Sequence, residues 1–119
     1  MRAACFQESG SPLAIRDVPD PTPGPGEVVI AVKGCGICGS DLHVTELGAA
    51  LPEGTVMGHE FVGRVVEAGP EVTAVAVGDR VVCPFTTSCG DCFYCRVGLT
   101  ARCPRGQFFG WVQDGKGLH

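Results

Sequence analysis

Four cysteines, Cys89, Cys92, Cys95 and Cys103, stand at gaps of two, two and seven residues in the segment CGDCFYCRVGLTARC. Thiolates that close in sequence can converge on one ion, so this stretch is expected to wind into a compact loop around a metal. Structural zinc favours tetrahedral, all-thiolate ligation, and Gly90 and Gly98 supply the backbone angles that tight loops demand. An iron–sulfur run is the nearest alternative, since Pro104 follows the last cysteine, but bacterial ferredoxins place the fourth cysteine about three residues after the third. Two disulfides are the remaining alternative, and they require an oxidising compartment that nothing else in the chain supports. Zinc is therefore the expected occupant.

With 119 residues, 45% of them apolar, the chain can enclose one core and is expected to form a single domain. It carries no internal repeat and no domain boundary. The N-terminal MRAACFQESG has no apolar run of signal-peptide length, and no stretch approaches the roughly 20 apolar residues of a membrane span. These features predict a cytoplasmic protein with no membrane partner. Thiols stay reduced in that compartment, so eight cysteines argue for metal ligation rather than a disulfide scaffold. The net charge of -4, with nine Lys and Arg scattered along the chain, offers no basic footprint for nucleic acid.

Eighteen glycines and nine prolines break the sequence too often for long helices, while Val-rich segments recur at short intervals, which predicts a mainly β fold. The expected strands are residues 2–6, 13–18, 27–33, 61–67 and 80–84, parted by turns such as PDPTPGPGE and VGD. Their even spacing suggests a small barrel or sandwich. A short helix is expected over residues 41–50, with Asp41 as its N-cap. The Pro-rich stretch 19–25 reads as a rigid turn rather than a linker.

A second group of ligand-type residues lies upstream, in GCGICGSDLH (34–43) and MGHE (57–60), which offer Cys38, Asp41, His43, His59 and Glu60. Cys and His with one position left open are what a catalytic zinc needs, because water or a substrate oxygen must enter the vacant place. Taken singly, Cys38 or His59 would read as a buried core residue. Gly34, Gly36 and Gly39 also satisfy G-x-G-x-x-G, with Glu60 about 20 residues onward. The chain beyond Gly39 is too short and too broken by Gly and Pro for the crossover helix and second parallel strand of a dinucleotide fold, so the glycines are expected to shape a tight turn. Ser40 and His43 lack an evident orienting carboxylate for nucleophilic catalysis. Cys5, Cys35 and Cys83 are expected as small core residues, Cys35 being the one near enough in sequence to Cys38 to be drawn to its metal or into a disulfide.

GICGSDLH, GHEFVGRVVEAG, VGDRV and the four-cysteine lobe, in that order, resemble the zinc-dependent alcohol dehydrogenases of the medium-chain dehydrogenase/reductase family, over nearly the whole chain. The resemblance implies a GroES-like irregular β-barrel with short helices, spanning residues 1–119, with a structural-zinc lobe at about 86–105. By the same resemblance Cys38 and His59 are catalytic zinc ligands, and Glu60 is the adjacent glutamate that approaches or replaces a ligand during turnover. Asp41 supports His59, since a carboxylate on the far ring nitrogen fixes the tautomer and strengthens the ligand. Ser40 and His43 resemble the family's proton relay, and Phe85 a wall of the substrate pocket. The implied chemistry is oxidation of a small-molecule alcohol, or the reverse reduction of a carbonyl. Zinc lowers the pKa of the bound oxygen and NAD or NADP takes the hydride.

In that family a doubly wound nucleotide-binding domain and a third protein ligand of the catalytic zinc lie beyond the point where this sequence ends. The resemblance thus implies a truncated catalytic domain that holds no cofactor-binding residues and is inactive alone. Phe109 and Trp111 would be left exposed, His119 would be a disordered end, and an apolar face exposed at the truncation could drive artificial association, which leaves a homo-oligomer open. Two other functions compete: a non-enzymatic zinc-stabilised β module, and a GroES-type chaperonin partner, which would need neither metal constellation. The substrate, the choice between NAD and NADP and the oligomeric state are not written in these residues.

Overall fold

In the computed structural model of the chain, residues 1–46 and 51–109 are described. Among the described residues the strands form two antiparallel sheets, the larger of them Val-rich. Strands β1 (Arg2–Cys5) and β2 (Ala14–Asp17) pair from Arg2↔Asp17 to Cys5↔Ala14. The larger sheet has the order β3 (Val28–Cys35), β4 (Phe61–Ala68), β5 (Arg80–Val82), each pair antiparallel. The sheets are tied through residues 54–57: Cys5 bridges Val56, Phe6 donates to the Thr55 carbonyl at 2.8 Å, and Met57 donates to the Ala4 carbonyl at 2.8 Å. The mainly β fold predicted from punctuation and composition is the observed one, and every expected strand is present with ends moved by one or two residues.

β4 shows why these residues make a strand. Gly63 and Val65 face inward while Val62, Arg64 and Val66 are exposed, the period of two of a half-buried pleat. Val65, at 1% exposure, joins Cys5, Phe6 and Val44 in a small core. Because so few side chains make that core, each matters. Val65→Ala is expected to cost about 2 kcal/mol, measured as a shift in the urea midpoint, and a change under about 0.5 kcal/mol would mean the core closes over the cavity.

Helix α1 spans Gly39–Glu46 and is held to the core by Val44. It starts two residues earlier than expected, so Asp41 is not its N-cap. Asp41 instead occupies the third helical position, and its Oδ2 accepts the Cys38 N–H at 2.8 Å, the reciprocal arm of a capping box. The far end is fastened by the turn between β1 and β2, where the Gly10 N–H and the Ser9 hydroxyl donate to the Thr45 carbonyl at 2.7 and 3.2 Å. Residues 47–50 of the expected helix lie outside the described residues. Two further short helical pieces, α2 (Phe93–Arg96) and a 3-10 turn (Thr100–Arg102), lie within the cysteine lobe. Among the described residues no helix is long and apolar enough to cross a membrane.

Two sequence expectations need correction. Cys5 is buried and Cys83 half-buried, but Cys35 is exposed rather than in the core. β3 is half-buried only from Val28 to Ala31, and every residue from Val32 to its end at Cys35 is exposed, so the thiol lies past the packed part of the sheet. Phe109, expected to be exposed, is half-buried, and its ring meets Phe61 edge-on at 5.0 Å and 87°. Trp111 and His119 lie outside the described residues.

Candidate metal centres

The cysteine lobe leaves the β5 side of the sheet and returns beside its point of departure. Its neck is an antiparallel bridge between Thr86 and Phe108. There Thr87 N–H donates to the Gln107 carbonyl at 2.9 Å, and Gln107 N–H donates back to Thr87 Oγ1 at 3.0 Å. Within this closed loop, α2 makes one turn from its cap at Cys92 and sets Cys95 beside it. The 3-10 turn delivers Cys103, and Gly90 and Gly98 take positive φ of 79° and 80° at the two reversals.

The outcome is four sulfurs within 4.8 Å of one another. Cys92 and Cys95 are 3.5 Å apart, Cys89 and Cys95 3.9 Å, Cys92 and Cys103 4.0 Å. These separations far exceed a disulfide's roughly 2.05 Å, and all eight cysteines are free thiols. Tetrahedral bonds of about 2.3 Å to one ion place sulfurs about 3.8 Å apart, so the residues present fit a single tetrahedral metal ion. The thiols are not alike. The Cys89 N–H, 3.4 Å from the Cys103 sulfur, holds that thiol down to about 6. Cys89 is pushed up to about 11, first by its hydrogen bond with the Asp91 carboxylate, and Cys95 is raised by its removal from water and then by Cys92.

The second cluster is assembled where two loops meet. Cys38 sits at the start of α1, and His59 and Glu60 immediately precede β4. The Gly36 N–H donates to the Glu60 carbonyl at 2.8 Å and pins the loops together. Gly58 turns the chain at φ 106°, and a Cβ there would lie 2.9 Å from the Cys35 sulfur, so only glycine brings the next residue inward. His59 is thereby 4% exposed. The ligand-type atoms of Cys38, His59 and Glu60 lie within 4.8 Å of one another.

Asp41 organises this cluster. One carboxylate oxygen accepts the Cys38 N–H, and the other stands 3.3 Å from His59 Nδ1, which turns Nε2 toward the cluster. Ser40 Oγ is 3.3 Å from that Nε2. The Ser40 hydroxyl, then the Ser40 backbone N–H, then the His59 ring lower the Cys38 thiol below its ordinary value. Phe85 meets the His59 ring edge-on at 4.9 Å and rests at 5.0 Å against Phe108, a neighbour that sequence reasoning did not select. His43 is exposed and makes no hydrogen bond or ion pair with a described residue, so Cys38, Ser40, Asp41, His59, Glu60 and Phe85 are brought together while His43 stands apart.

The glycines of the G-x-G-x-x-G string have local explanations. Gly36 lies under the Glu60 side chain, where a Cβ would be 2.9 Å from its carboxylate, and Gly39 opens α1. The strand after that helix, β4, pairs antiparallel with β3, whereas a dinucleotide fingerprint requires a parallel crossover. A large apolar cavity of about 650 Å³ lies elsewhere, walled by Val28, Ile30, Phe61 and Phe109 with Cys35 and Cys83. Neither cluster of ligand-type residues contributes to its walls.

The family model for the alcohol dehydrogenase GroES-like domain matches residues 24–119. A zinc-type alcohol dehydrogenase B of Aspergillus flavus is 43% identical over 111 residues, covering 92% of this chain and 26% of the relative. Among solved structures, an alcohol dehydrogenase from Thermus sp. ATN1 superposes with a TM-score of 0.89 at 37% identity, covering 99% of this chain and 34% of the other. A cobalt- and zinc-bound thermostable alcohol dehydrogenase from Pyrobaculum aerophilum superposes at 0.82 with 40% identity, covering 98% and 36%. The chain spans about a quarter to a third of the length of the curated relatives it matches. With a mainly β fold, two clusters of metal-ligand type and a family match over most of its length, the chain belongs to the alcohol dehydrogenase family through the GroES-like domain.

Proposed function

We propose that this chain supplies the zinc-bearing catalytic part of an NAD(P)-dependent alcohol dehydrogenase acting on a small-molecule alcohol or carbonyl. In this reading residues 1–119 form one GroES-like unit, and its lobe, about 86–105, holds structural zinc on Cys89, Cys92, Cys95 and Cys103. Cys38, His59 and Glu60 hold a second, catalytic zinc. The observation that carries the reading is the convergence of those three residues within 4.8 Å, with His59 Nδ1 anchored on Asp41 as a ligating imidazole is ordinarily anchored. With Glu60 withdrawn, Cys38 and His59 would leave coordination positions for a further ligand and for substrate. Free thiols throughout the chain suit a reducing, cytoplasmic setting.

A zinc held by Cys38, His59 and Glu60 would supply Lewis acidity to an alcohol oxygen, which would bring its deprotonation toward neutral pH. The protein's own residues do the remainder. Ser40, beside His59 Nε2, receives the alcohol proton. His43, three residues further on the same helical face and open to water, passes it to solvent. Phe85, edge-on to His59, forms an apolar wall that orients the carbon chain and excludes water. Glu60, exposed at the rim, supplies a carboxylate that can enter or leave the ligand set.

The test joins this chain to the nucleotide-binding domain of a relative and follows alcohol-dependent reduction of NAD or NADP. Ser40→Ala is expected to lower kcat by about 100-fold with zinc content unchanged. Full zinc loading with no turnover of any alcohol, with either nucleotide, would contradict the enzymatic reading and leave a zinc-stabilised module.

A further inference from the structure

An ion pair that the dehydrogenase chemistry does not use spans the cysteine lobe. Arg105, two residues past Cys103, places Nη2 on Oδ1 of Asp91, which lies inside the knuckle between Cys89 and Cys92. Asp91 stands two residues from Cys89 and one from Cys92, so the pair joins that knuckle to the chain just past Cys103. The lobe is therefore closed twice, by the Thr86–Phe108 bridge at its neck and by this pair.

Charge gives the second closure its purpose. One divalent ion held by four thiolates is a doubly negative centre, and the segment from Cys89 to Arg105 sets Arg96, Arg102 and Arg105 against a single acid, Asp91. Of these cations Arg105 is the one whose guanidinium is paired with Asp91, between two of the ligand cysteines in sequence. The pair also ties the two pieces of chain, the Cys89–Cys92 knuckle and the Cys103 arm, that must separate for the ion to leave.

Resting on the structural-zinc reading, we propose that Arg105, positioned by Asp91, is a clamp that slows release of the lobe metal. The pair is more than half exposed, where ion pairs add little to folding and are screened by salt. Its effect is accordingly on the exit of the metal rather than on stability, and it fades as ionic strength rises.

The full chain, loaded with zinc, is mixed with excess chromogenic chelator at low salt, and the slow phase of zinc transfer is timed. Arg105→Ala is expected to speed that phase by tenfold or more. Asp91→Asn, nearly isosteric, is expected to do much the same, and the double variant to add little. Arg102→Ala, which removes an equal charge from the lobe without this contact, should stay within twofold of wild type. High salt should bring wild type toward the variants. With cobalt in place of zinc, Arg105→Ala should shift the thiolate-to-metal charge-transfer band, and Arg105→Lys should recover part of the shift. Unchanged release in Arg105→Ala and Asp91→Asn, or equal acceleration by Arg102→Ala, overturns the clamp while leaving lobe zinc in place. A wild-type chain with no slowly released zinc overturns the structural-zinc reading itself, and the clamp with it.

Discussion

Replacing Cys95 by serine is expected to empty the lobe of zinc and unfold the segment between Cys89 and Cys103, while the sheet of β3, β4 and β5 persists. The reason lies in what the lobe lacks. Phe93, Tyr94, Val97 and Leu99, its large apolar side chains, are all exposed, so it has no core of its own. Its order rests on the metal, and structural zinc in small thiolate sites is worth about 10–16 kcal/mol at neutral pH. Zinc per chain should fall by one in Cys95→Ser, and limited proteolysis should then cut within the lobe. Acid should act in the same direction as the substitution. Cys89, pushed up to about 11, and Cys95, also raised, hold protons at neutral pH that zinc must displace, whereas Cys103, held at about 6, is already ionised there. Zinc affinity therefore rises with pH and falls on acidification. The loss is about tenfold per pH unit for each displaced proton, so at least about a hundredfold per pH unit with Cys89 and Cys95 both protonated. Below about 6 Cys103 takes up a proton as well and steepens the loss. Affinity independent of pH between 6 and 8 would contradict this ligand set.

The second large effect is expected at His59. His59→Ala should remove the readily exchanged zinc and leave the lobe zinc in place, because the two clusters share no ligand. Asp41→Asn tests the support beneath it. Losing the carboxylate that faces Nδ1 frees the ring's orientation and weakens it as a ligand, and such changes typically cost 10–100-fold in metal affinity. Asparagine retains an oxygen for the Cys38 N–H, so α1 should keep its start and the circular dichroism should change little. Competitive titration against a chelator of known affinity measures both variants. Wild-type affinity in His59→Ala would place the second metal elsewhere.

How much of this was legible depends on the distance along the chain over which each feature is decided. The cysteine lobe could be read because its ligands, its reversals at Gly90 and Gly98 and its one-turn helix fall within a short stretch. Strands could be read from Val-rich runs, but not their sheet order or register. The second half of β3, from Val32 to Cys35, is exposed on both faces, and no local pattern announces where the covering chain ends. Asp41 was expected as the N-cap and stands three positions further into the helix. Any of Cys38, Ser40 and Asp41 can begin a helix, and the choice was made by Asp41 serving Cys38 and His59 at once. The Asp91–Arg105 pair and the contact of Phe109 on Phe61 join residues distant in sequence, and pairing at such range is settled by the fold.

The central claim is that one chain holds two zinc ions of different lability. Zinc per chain, determined by plasma mass spectrometry on protein purified without added metal and again after mild chelation, tests it most directly. About two ions, one stripped readily and one retained, is the expected result. A folded chain without zinc would contradict it.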